Sequence, residues 1–220
     1  MRFIATAIMI LVGCAPQLET GVEEETVSEE DVIVEESSED TEDTVEEEEP
    51  VEPEGSDIHG GSPTNVTWSE CNQQVGSHPC DFSLVDQFGD TFTLYDNFAT
   101  VMVIDFSTMW CSVCKNIAPD VQDFQDEYGP NGFLWVTVLI DNATGGDPTL
   151  EDIENWANTY GIETSPVLVG SRDMVDLTAQ DGYPITSWPT LVVIDRDMNL
   201  AYGINGWNES VIRGWVEDTL

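Results

Sequence analysis

Positive charge is almost missing from this 220-residue chain, which has 5 Lys and Arg against 44 Asp and Glu, a formal net charge of -39. Nucleic acid and anionic lipid surfaces repel such a polyanion, so neither is an expected partner. Lys115 is the only lysine. Histidine is nearly absent as well. His59 and His78 precede the apolar part of the chain and offer no ligand spacing, so no metal site is expected. Aromatic residues are missing between Gln17 and Thr64, where Glu, Asp, Thr, Ser, Val and Pro dominate. Residues 15–57 hold 20 of the acids and no Lys or Arg. A segment of that composition buries too little apolar surface to offset chain entropy, and its like charges extend it. A disordered acidic tether is therefore expected over 14–63.

The start of the chain reads as an address. Met1-Arg2-Phe3 leads into an apolar run that ends at Val12. The run is too short for a comfortable membrane span and has the form of a secretory leader. Leu11-Val12-Gly13-Cys14 resembles the lipobox of bacterial lipoproteins. That resemblance implies cleavage after residue 13, acylation of Cys14, and a chain anchored by lipid in the cell envelope, outside the cytoplasm. Ala15 rather than Asp after the cysteine weighs toward an outer membrane on its periplasmic side. An ordinary leader in which Cys14 is incidental is the alternative.

Beyond Thr64 the pattern changes to that of a folded domain, expected over 64–220. Thr100 to Phe106, Phe133 to Ile140 and Leu191 to Ile194 are nearly continuous apolar runs, as in strands buried on both faces. Helical stripes lie between and after them. One joins Cys114, Ile117, Ala118, Val121, Phe124 and Tyr128, with Pro119 expected to kink it. Another runs from Leu150 to Tyr160 behind Thr149, with Asp152 three residues on as in a capping box. A last one, with Val211, Ile212, Trp215 and Val216, follows Asn208. Phe82 to Tyr95 reads as a leading hairpin around Gly89-Asp90. Alternating strands and helices predict an α/β fold: a central sheet with helices on both faces.

Chemistry concentrates in Trp110-Cys111-Ser112-Val113-Cys114-Lys115, where a buried strand gives way to a helix. Unpaired N–H groups at a helix start favour the thiolate of the first cysteine, which is the nucleophile. The second sulfur, one turn on, can close a small reducible disulfide. A metal site and a static disulfide are the rival readings of the pair. Asp105 lies inside the preceding apolar strand, where burial raises a carboxyl pKa toward neutrality and suits it to exchange a proton with Cys114. Lys115 either favours the thiolate or is a solvated helix charge.

Together, Ile104-Asp105-Phe106, Trp110-Cys111-x-x-Cys114-Lys115, Ile117-Ala118-Pro119 and Trp188-Pro189-Thr190-Leu191 resemble the thioredoxin-like superfamily. The long segment between Ile140 and Pro189 is similar to its TlpA/ResA-like branch of tethered thiol–disulfide oxidoreductases. The resemblance runs roughly from Cys80 to Leu220. It implies a thioredoxin-like fold with a mixed sheet, attack by Cys111 and resolution by Cys114, with Asp105 as proton partner. It also implies a client groove shaped by Trp110, Trp188 and a cis Pro189. Ser112-Val113 matches neither thioredoxin nor the strong oxidants, which leaves the redox potential open. Thr137 stands where thioredoxin has a buried lysine.

Cys71 and Cys80 form a second pair, expected as a structural disulfide in an oxidising compartment, with a second redox pair as the alternative. The expected partners are protein thiol or disulfide clients and a membrane electron donor or acceptor. No bound cofactor is expected, and reduction is the favoured direction. A non-enzymatic module that holds a client or a metal is the competing function. A peroxiredoxin pattern is incomplete, since Thr108 is in place but residue 104 is Ile rather than Pro.

Overall fold

The structure, a computed structural model, describes residues 65–220. The leader expected over 1–13, the lipidation site at Cys14 and the linker over 14–63 lie outside the described residues.

Short hairpin strands open the domain: β1 (Ser83–Val85) and β2 (Thr91–Thr93), paired antiparallel. The centre is β3 (Val101–Thr108), in which every residue is buried. It pairs in parallel with β4 (Phe133–Asp141), from Val101 opposite Phe133 to Thr108 opposite Asp141. On its other side β3 pairs antiparallel with β6 (Thr190–Ile194). The short β5 (Val167–Val169) extends the parallel side, and β7 (Leu200–Asn205) extends the antiparallel side. The sheet order is β5-β4-β3-β6-β7. A strand buried on both faces cannot alternate apolar with polar residues, which is why β3 and β4 read as continuous apolar runs.

The two faces of the sheet build two cores. Val101, Val103, Phe133, Trp135, Leu191 and Val193 face one of them, and Met102, Ile104, Phe106, Leu134, Val136 and Ile194 face the other. The first core takes the buried residues of all four α-helices: α1 (Ser112–Ile117), α2 (Val121–Tyr128), α3 (Leu150–Tyr160) and α4 (Glu209–Thr219). For α1, α2 and α3 the reason is topological. The chain steps from β3 to β4 to β5 in one direction, and right-handed crossovers then keep the intervening helices on one face. Among the described residues, helical cover on the opposite face is limited to 3-10 turns at Leu94–Asn97 and Arg172–Met174. The hairpin and the segment through Tyr183 and Ile185 complete that face.

Local signals account for most element ends. Pro119 lies in a 3-10 turn, Ala118–Asp120, that separates α1 from α2, because proline has no N–H to continue the ladder. After α2 the chain turns at Gly132, whose φ of +81° favours a residue without Cβ. A Cβ there would also come within 3.0 Å of Arg196 Nη1. Thr149 and Asp152 form a full capping box on α3, and the Asn208 side chain accepts from Val211 N–H at the head of α4.

Candidate functional site

The dithiol motif lies at the carboxyl end of β3, where the strand runs directly into α1. Cys111 is the N-cap of α1, and its Sγ accepts the backbone N–H of Cys114 at 3.2 Å. The two cysteines are joined in a disulfide, with Cα atoms 5.3 Å apart. Cys111 is 7% exposed and Cys114 1%, so a partner reaches the first sulfur before the second. The exposed side chains of Trp110 and Val113 flank the pair.

Asp105 is buried in β3 on the same side of the pleat as Val103, and hence in the core that holds Cys111 and Cys114. Burial pushes its carboxyl up to about 7, against a smaller opposing effect from Ser107. Ser107 Oγ donates to Asp105 Oδ1 at 2.7 Å. Thr137 stands directly across from Asp105 in the parallel register. Its Oγ1 has no hydrogen-bond partner among the described residues. Asp105 therefore faces a neutral hydroxyl side chain instead of a cation.

The Trp188–Pro189 peptide bond is cis, and Pro189 leads straight into β6. Its carbonyl accepts the N–H of Gly206 at 2.7 Å, and Gly206 holds a φ of +93°. Glycine at that position lets the chain turn back against the proline loop. Trp188 is half-buried and packs against both cores.

Two further residues join the site, and sequence reasoning missed both. Asp141, the last residue of β4, is buried, and its Oδ2 accepts the indole N–H of Trp110 at 2.9 Å. Arg172 Nε donates to Asp141 Oδ1 at 2.6 Å, and Arg172 Nη2 donates to Oδ2. Burial alone would raise the Asp141 carboxyl. The hydrogen bonds from Arg172 and Trp110 and the charge of Arg172 outweigh it and hold the carboxyl below its ordinary range. The only sequence hint was compositional: Arg172 is one of four cations after residue 57.

Cys71 and Cys80 are also joined in a disulfide, with Cα atoms 4.9 Å apart. They border an open cavity lined by Ser69, Glu70, Asn72, Gln180 and Asp181. Lys115 is exposed and in no salt bridge among the described residues. Among those residues no group of three or more His, Cys, Asp or Glu side chains is placed to hold a metal ion.

A Cys-x-x-Cys pair at a helix head, a buried acid on the strand behind it and a cis-proline loop on a mixed sheet define the thioredoxin-type thiol–disulfide oxidoreductases. Within that class the chain belongs to the AhpC/TSA family, whose model matches residues 75–203. The thioredoxin-like protein YneN of Bacillus subtilis is 25% identical over 127 residues, 58% of this chain and 69% of that protein. The exposed lipoprotein thioredoxin of Streptococcus pneumoniae is similar in structure, with a TM-score of 0.51 at 25% identity. That match covers 63% of this chain and 99% of the pneumococcal one. A thioredoxin-family thiol:disulfide interchange protein of Chlorobium tepidum shares the fold, with a TM-score of 0.53 at 21% identity over 70% of this chain and 99% of its own.

Proposed function

We propose that this protein reduces disulfides in client proteins outside the cytoplasm, tethered by a lipid on Cys14 and recharged by a membrane electron donor. The observation that carries the reading is the position of Cys111, which caps α1 with its mate buried one turn deeper. N–H donors at the helix start stabilise the Cys111 thiolate. That thiolate attacks one sulfur of the client disulfide, the S–S bond breaks, and a mixed disulfide forms as one client thiolate leaves. Cys114 then loses its proton to Asp105, attacks Cys111 Sγ and releases the second client thiolate. Two electrons pass to the client, and Cys111–Cys114 becomes the disulfide. A carboxyl with a pKa of about 7 accepts and returns that proton near neutral pH. An extended client segment lies along the cis-proline loop between Trp110 and Trp188.

Supporting the location are the lipobox-like Leu11-Val12-Gly13-Cys14, the second disulfide at Cys71–Cys80 and the similarity to a protein described as an exposed lipoprotein. The test is a Cys114→Ser variant expressed in cells, with recovery of whatever stays bonded to Cys111. The expected result is a small set of disulfide-linked envelope proteins, together with insulin reduction by the wild-type protein. A variant that captures nothing, alongside a wild type that leaves insulin intact, overturns the reading.

A further inference from the structure

The two tryptophans beside the dithiol share one support. Trp110 precedes Cys111, and its indole N–H is held by Asp141 Oδ2 at 2.9 Å. Trp188 precedes Pro189, and its ring centroid lies 5.3 Å from Arg172 Cζ. Arg172 in turn grips both oxygens of Asp141. A single guanidinium thus touches Trp188 directly and Trp110 through one carboxylate, the two side chains expected to wall the client groove. The two walls come from distant parts of the chain, the β3–α1 junction and the loop before β6, and Arg172 comes from a 3-10 turn between β5 and that loop.

An exposed ion pair of this kind would carry little weight, because solvent and salt screen it. Asp141 is not exposed: its side chain is 1% accessible, while that of Arg172 is 55% accessible. A buried carboxylate needs its partners, and a planar guanidinium is the side chain able to satisfy both oxygens and lie over a ring at once. An ammonium in its place is a point charge without the fork. Arg172 Nη1 has no hydrogen-bond partner among the described residues, so the outer edge of the guanidinium is open to solvent. Because Asp141 neutralises the charge, that edge is suited to a hydrogen-bond acceptor more than to a net charge.

We propose that Arg172 is the positioning and specificity residue of the client cleft. It sets Trp110 and Trp188 as facing walls and offers Nη1 to a main-chain carbonyl of an extended client segment. The inference rests on the oxidoreductase reading above.

The test compares a protein disulfide with a small one. Wild type, Arg172→Gln and Arg172→Lys, each as the full chain, are assayed on insulin and on a small aromatic disulfide. The aromatic disulfide uses the same two sulfurs but has no extended segment to seat in the cleft. Both variants are expected to raise KM for insulin about tenfold with kcat nearly unchanged, the loss of a charge-assisted fork and one acceptor contact. The small disulfide is expected to slow far less than insulin does, and the pH profile of Cys111 alkylation stays as in wild type. The lysine variant keeps the charge, so it tests the fork even if the glutamine variant folds poorly. Unchanged KM, or equal slowing on both substrates in a folded variant, overturns the proposal. A wild type inactive on both substrates sinks the oxidoreductase reading instead, which separates the two failures.

Discussion

Asp105 sits in a strand with no exposed residue and no cation in register beside it. Its carboxyl therefore titrates at about 7 in the folded protein against an ordinary value of 3.8. Between those values the folded state holds a proton that the unfolded state has released. Stability is thus fully present below about pH 4, falls as pH rises through 7, and levels off above, a loss on the order of 4 kcal/mol. Asp105→Asn keeps the shape and removes the charge. Urea unfolding of the oxidised protein is expected to show wild type weaker at pH 8 than at pH 5, with most of that difference gone in the variant. A pH slope preserved in the variant would place the titration elsewhere. The burial of Asp105 was legible in the apolar run around it. Its Ser107 partner was legible in principle, since residues two apart on a strand share a face. Asp141 and Arg172 were not, because an ion pair spanning 31 residues depends on tertiary placement.

At the scale of elements, what the sequence disclosed depended on the strength of the pattern. The capping box of α3 was readable residue by residue, as were β3, β4 and β6. β7 was not recognised, because only Leu200 in it is fully buried and Gly203 and Asn205 are poor strand formers. The crowding of α-helices on one face was also hidden, since handedness acts only once the strand order is known. β5 poses a different question, being three residues long at a sheet edge. Beyond its pairing with β4, it is supported from outside the sheet. The buried Gln87 donates Nε2–H to Ser165 O at 3.0 Å and accepts Val167 N–H on Oε1 at 2.7 Å. Gln87→Ala leaves two buried backbone groups unpaired, and an expected loss of about 2–4 kcal/mol follows. Hydrogen exchange is the sharper readout: the Val167 amide should lose protection far more than amides of β3. Uniform loss of protection across the sheet would mean that Gln87 supports the whole core rather than this edge.

For the whole molecule, the segment before β1 acts as a strap along the β7 side of the sheet. Gln73 N–H donates to Ala179 O at 2.8 Å, Gly76 N–H to Leu200 O at 2.8 Å, and Leu200 N–H to Ser77 O at 2.9 Å. The ring of Trp68 stacks on His78 at 3.7 Å, and His78 Nδ1 meets Met198 O at 2.9 Å. Cys71 and Cys80 close this strap into a loop with a sequence separation of 9. A loop of that size restricts the unfolded chain by about 2–3 kcal/mol in the chain-entropy view. Replacing both cysteines by serine is expected to lower stability by that amount in urea unfolding. Insulin reduction by Cys111 and Cys114 should persist, because the strap packs on β7 and the Ala179 turn rather than on α1. The alternative role, a relay that passes electrons to the active pair, makes the opposite demand. The double variant would then keep its stability cost, still react with a chemical dithiol, and fail to turn over with the proposed membrane donor. Assaying both reductants on the same preparation separates a clamp from a relay.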